Sequence, residues 1–174
     1  MPQSRTLKRS YNAAQLGLQA GNATTGAWAT QLSAGIYSLH KAAAGTTSVV
    51  NIPIPHGPRG GLPTCEDAQI SVIEVFYKVS TANLTSAPTV ALNRHTFPGG
   101  TGTGTVASAT VTNTLTFAGA DSVGTAFAAP NHIAVVTVTT PFVLDDSDSL
   151  VLTITMNESS TSVLDLFGIT VTYQ

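Results

Sequence analysis

From residue 34 onward, segment after segment of this 174-residue chain alternates apolar residues with a period of two, whereas residues 1–33 show only a faint helical hint around residues 11–18. In residues 69–80, Ile73, Val75, Tyr77 and Val79 share one face, while Val72, Glu74, Phe76 and Lys78 share the other. Side chains alternate across a strand, so this pattern predicts a long, half-buried strand. The same alternation sets Leu150, Leu152, Ile154 and Met156 against Val151, Thr153 and Thr155. Near the C-terminus it sets Phe167, Ile169, Val171 and Tyr173 against Leu166, Gly168, Thr170 and Thr172. Further strands are expected over residues 35–40, 46–54, 89–93, 105–117 and 133–140. Pro53 and Pro55 close the second of these, because proline cannot donate to a ladder. About eight strands joined by short turns predict an all-β protein, an antiparallel β-sandwich.

Composition supports this and excludes other classes. Charged residues make up only 9% of the chain, against roughly 25% in ordinary soluble proteins. Their place is taken by 27 Thr and 15 Ser, with 22 Ala and 16 Val supplying much of the apolar content. Thr and Val suit pleated surfaces. A long-helix protein would be rich in Glu, Lys and Leu, and a disordered chain would not be 43% hydrophobic. Cys65 is the one cysteine, which excludes an intrachain disulfide or a Cys-rich zinc site. No apolar run follows the basic N-terminus, so neither a signal peptide nor a membrane span is expected, and synthesis in a cytoplasm is.

Charge is unevenly distributed. Arg5, Lys8, Arg9, Lys41 and Arg59 give the first 65 residues a charge of +5, with no acid among them. Nine acids against Lys78 and Arg94 leave −7 on the remaining 109 residues. Such asymmetry points the N-terminal part towards an acidic partner or towards acidic copies of its own domain. Residues 1–33 show no period of two and carry Gly17, Gly21, Gly26 and a single Trp28. They read as an extended N-terminal arm ordered by what it lies on, preceding a sandwich domain over residues 34–174. Trp28 either anchors that arm in a partner's pocket or plugs one end of the domain core.

The outer faces of the expected strands carry Thr, Ala and Val rather than Lys or Glu. Neutral, mildly apolar faces suit contact between identical subunits, so a homo-oligomer is expected.

Enzyme signatures are missing from the sequence. Ser122, in GADSVG, lacks the spacing of a nucleophile elbow. His40, His56, His95 and His132 fall in no paired metal-ligand spacing. The run GGTGTG at residues 99–104 lacks the Lys-Ser/Thr ending of a phosphate loop and reads as a loop tip. Asp145, Asp146 and Asp148 could begin a calcium cage, but lack the EF-hand glycine and glutamate; Asp and Ser are also common in turns. No metal or other cofactor is expected. Arg5, Lys8 and Arg9 are too few to hold nucleic acid and have no aromatic ladder beside them. A protein is the expected partner.

Two segments resemble the jelly-roll virion proteins of tailed bacteriophages. One is SVIEVFYKV at residues 71–79, running into TANLT at 81–85; the other is TPFVLDDSDSLVL at 140–152, leading to LFGITVTY at 166–173. The resemblance covers about residues 68–174 and is one of pattern. It implies a capsid decoration (cement) protein, a homotrimer on the outer capsid surface that binds the major capsid protein and has no catalytic residue. In that setting residues 1–33 would staple neighbouring capsomers, with Arg5, Lys8 and Arg9 pairing acids of the shell and Trp28 filling a pocket. Several modest contacts would then act together at high effective concentration. A receptor- or glycan-binding fibre tip, and a small-virus coat protein, are the alternatives on the same fold.

Overall fold

The computed structural model describes residues 6–19, 23–25, 27–42, 47–57, 68–98, 105–118 and 131–174. Arg5, Cys65 and the glycine-rich run at 99–104 lie outside them. The described residues form twelve strands and no helix: β1 (Leu7–Asn12), β2 (Ala23–Thr25), β3 (Trp28–Ser33), β4 (Ile36–Lys41), β5 (Thr47–Ile54), β6 (Ile70–Ser80), β7 (Thr89–Thr96), β8 (Ala107–Thr110), β9 (Asn113–Phe117), β10 (His132–Phe142), β11 (Asp148–Asn157) and β12 (Val163–Tyr173).

These make two antiparallel sheets facing each other. The larger runs β3-β4-β12-β6-β10-β9, with β1 also beside β12; the smaller runs β2-β5-β11-β7-β8. β4 pairs with β12, β5 with β11, β6 with β10 and β7 with β8. The chain is thus one long ribbon folded back at β7–β8, with successive pairs in alternate sheets. That is the jelly-roll order.

Alternation along each strand builds the core. Ile73, Val75, Tyr77, Val79, Val136, Leu164, Leu166, Ile169 and Val171 of the large sheet are buried, as are Val50, Ile52, Leu92, Leu150, Leu152 and Ile154 of the small one. The strand expected over 105–117 divides at Val111 and Thr112. Its first half pairs with β7 and its second with β10, in the other sheet. The bend is held by hydrogen bonds from Val111 N to Leu92 O (2.7 Å) and from Thr139 N to Thr112 O (3.0 Å).

The boundary expected at residue 33 is not a structural break: β3 and β4 form a hairpin across it, from Trp28↔Lys41 to Ser33↔Ile36. Residues expected to form an arm instead supply three strands. β1 lies along the second half of β12, from Leu7↔Tyr173 to Asn12↔Gly168. Ala13, Leu16 and Leu18, in the turn that follows, are buried, and Tyr37 Oη donates to Leu18 O at 3.1 Å. The reason is pairing demand. β4 accompanies β12 only over Leu164–Leu166, so the rest of that edge needs another strand, and β1 supplies it.

Candidate functional site

The handover from β4 to β1 occurs at a β-bulge. Leu166 pairs with Tyr77 and Gly168 with Phe76, so Phe167 is the extra residue. The bulge reverses the expected phase of the strand. Leu164 and Leu166 point inward before it, Ile169, Val171 and Tyr173 point inward after it, and Phe167 is half-buried on the outside rather than joining Ile169 in the core. Gly168 has φ +155°, and a Cβ there would lie 2.2 Å from Tyr11 O and 2.8 Å from Asn12 Cα. The close approach of β1 therefore requires glycine.

On the outer face this geometry leaves an open groove of about 420 Å³, whose lining includes Gly168, Phe76 and Phe167. Asn12, Gln15, Ser10 and Thr170 supply its polar groups. Asn12 N donates to Gln15 Oε1 (2.9 Å) and Gln15 N donates to Asn12 Oδ1 (2.8 Å), a reciprocal clasp that orients both amides. The Ser10 and Thr170 hydroxyls are hydrogen-bonded to each other at 2.8 Å. The lining contains no Lys, Arg, His, Asp or Glu. In sequence the one pointer to this site is a glycine inside a strand pattern, which marks a bulge or a close backbone approach.

The residues singled out from sequence are dispersed. Lys8 Nζ lies 3.5 Å from Glu74 Oε2 on the protein's own outer face. Arg9 lies beside Tyr173, whose hydroxyl is pushed well above its ordinary range by burial and by a hydrogen bond with Tyr11, while the Arg9 charge pulls the other way. Trp28 is 8% exposed and belongs to the core, the second of its two readings. Lys41 is buried against Glu158. Two cations of the basic N-terminal part, Lys8 and Lys41, thus meet acids from the later part of the same chain.

Residues 145–148 form a turn closed by Asp148 N donating to Asp145 O at 2.9 Å. Arg94 donates to the Asp148 carboxylate through Nε (2.9 Å) and Nη2, and Thr96 Oγ1 adds a bond of 2.6 Å. His56 Nε2 sits 3.1 Å from the carbonyl oxygens of both Asp145 and Asp148. Of the three aspartates in this run, the one enclosed by protein, Asp148, is therefore occupied by a guanidinium. No group of three or more His, Cys, Asp or Glu among the described residues could hold a metal ion. Among the other histidines, His40 Nδ1 meets Asp165 at 2.8 Å and His132 stacks on Tyr77 at 5.2 Å. Ser38 Oγ also donates to Asp165 Oδ1 (3.3 Å), so that one carboxylate oxygen is shared between the serine and His40.

No protein-family model matches the chain, and no curated protein is found to be similar to it. Among solved structures it is similar to a low-affinity xylan-binding module from the xylanolytic gut symbiont Roseburia intestinalis, with a TM-score of 0.40 and 12% identity over 97% of this chain and 95% of that one.

Proposed function

We propose that this chain is a non-catalytic virion surface protein, a jelly-roll knob that decorates and stabilises a bacteriophage capsid. The observation that carries the reading is the β3–β4 hairpin. It stands at the edge of the large sheet, β3 is exposed throughout beyond Trp28, and Leu32 and Ile36 at its tip are 71% and 57% exposed. An open strand edge with two large apolar residues at its tip is an association surface. The Thr-rich outer faces and the pattern resemblance to tailed-phage jelly-roll proteins support the same reading.

The mechanism differs from an arm staple. Lys8 and Trp28 are engaged within the knob, so stapling falls to the hairpin edge, which would pair with the major capsid protein while further copies repeat the contact around a symmetry axis. Several weak contacts released only together would then resist expansion of the shell.

Electron microscopy of particles assembled with and without this protein tests the reading, with heat release of the genome followed in parallel. Knobs should vanish from particles lacking it, and those particles should burst at lower temperature. The doubly substituted L32D/I36D chain should fold yet leave the shell bare. An unchanged shell with lost host attachment would instead move the protein to a fibre.

A further inference from the structure

We propose that the groove over the Gly168 bulge is a binding site for a neutral saccharide. The groove offers a sugar matched chemistry whether or not the chain belongs to a virion. The volume of about 420 Å³ is that of a small-ligand site, within the range of roughly 300–1,000 Å³. Its lining includes two phenylalanines, Phe76 from β6 and Phe167 from the bulge of β12, beside Tyr11 and Ile169. A pyranose ring presents a C–H face that packs on such a surface.

The polar groups suit a polyhydroxylated ligand. Each amide of the Asn12–Gln15 clasp spends its carbonyl oxygen on the other residue's backbone N–H. Both NH₂ groups are left as oriented donors. The Ser10–Thr170 pair shares one hydrogen bond, and each hydroxyl oxygen retains a further acceptor site. Oriented donors and acceptors beside aromatic rings are what a sugar's ring of hydroxyls requires, and two amides held by the backbone lose little freedom on binding.

Charge decides against other ligands. The lining holds no cation, and of the charged residues that neighbour it along its strands, Lys8 is paired with Glu74 and Lys78 stands opposite Asp165. A nucleotide or an anionic sugar would find nothing to balance its charge. An apolar peptide would leave the amides and hydroxyls unpaired.

The test is an NMR titration of the full chain with cellohexaose, mannohexaose, xylohexaose and maltohexaose, alongside an anionic counter-probe, sialyllactose. At least one neutral hexaose should shift amide resonances confined to residues 10–15, 76 and 167–170. F167A and F76A each replace a half-exposed ring and should weaken binding about tenfold or more, with thermal unfolding recorded to show that both variants remain folded. Three outcomes would overturn the proposal: no shifts with any neutral hexaose, shifts elsewhere on the surface, or affinity unchanged in both folded variants. Preferential binding of sialyllactose at these residues would overturn its neutral character.

Discussion

Lys41 Nζ donates to Glu158 Oε2, and Ser48 Oγ donates to Oε1 of the same carboxylate, with both charged side chains wholly removed from water. Removing one member of such a pair strands the other charge, at a cost of about 3–5 kcal/mol. K41M should therefore lower the urea midpoint sharply, and K41M/E158Q, which neutralises both sides, should recover part of the loss. A K41M midpoint equal to that of the parent chain would show that the pair is hydrated. Asp148 gives a second residue-scale prediction. Burial alone would raise its pKa, but hydrogen bonds from Arg94, Thr96 and the Asp145 backbone, with the Arg94 charge, outweigh burial and hold it below the ordinary 3.8. A depressed folded-state pKa means that the stabilisation is complete above the unfolded value and is lost as pH falls through the folded one. The parent chain should thus lose stability between about pH 5 and about pH 2 more steeply than D148N, as followed by urea midpoints. Equal acid limbs would remove Asp148 from the account. Neither arrangement was legible in sequence. The Asp145–Asp148 turn was, because Asp and Ser hydrogen-bond locally, whereas Arg94 arrives from another strand.

At the scale of elements, the bulge in β12 decides three things together: where β4 yields to β1, where Phe167 points, and where the groove opens. Period-two reading extends each face unbroken and so places Phe167 with Ile169, Val171 and Tyr173. One inserted residue reverses the phase, and only the sequence position of Gly168 hints at it. G168A tests the arrangement. Its Cβ would meet Tyr11 O at 2.2 Å, so β1 must move away. We expect a loss of about 1–3 kcal/mol, with hydrogen exchange accelerating at the amides of β1 while β6 and β10 stay protected. Undiminished protection in β1 would mean that the two strands can part without cost. The strands from residue 35 onward were otherwise legible by local alternation, save that residues 105–117, expected as one strand, divide between the two sheets. β1 to β3 were not: their residues carry no period of two, and they become strands by pairing with edges the later chain provides.

Over the whole molecule, the jelly-roll order joins residues far apart in sequence. Leu7 pairs with Tyr173, Thr47 with Asn157 and Lys41 with Leu164. Loop closure must precede the contacts that reward it, so refolding from urea should take about milliseconds to seconds. Relaxation in microseconds would be incompatible with this topology. The charge asymmetry belongs to this scale too. From sequence, the basic first third points outward to a partner. In the folded chain Lys8 meets Glu74 and Lys41 meets Glu158, which shows that such an imbalance can be met within the molecule.

The sequence by itself determined what local physics can carry. Thr and Val make the chain β-forming, alternation marks which strands exist and which faces are apolar, and Pro55 and the Asp145–Asp148 turn mark where β5 and β10 stop, although Pro53 and Pro141 lie within strands. The antiparallel sandwich follows from those alone. Tertiary structure decided everything that depends on who pairs with whom: the incorporation of β1, β2 and β3 into the sheets, the burial of Trp28, the partners of Lys8, Lys41 and Asp148, and the outward turn of Phe167. The physical reason is that a strand's side-chain pattern is written along its own length, whereas its hydrogen-bond partner, and the charge that faces it, come from elsewhere in the chain.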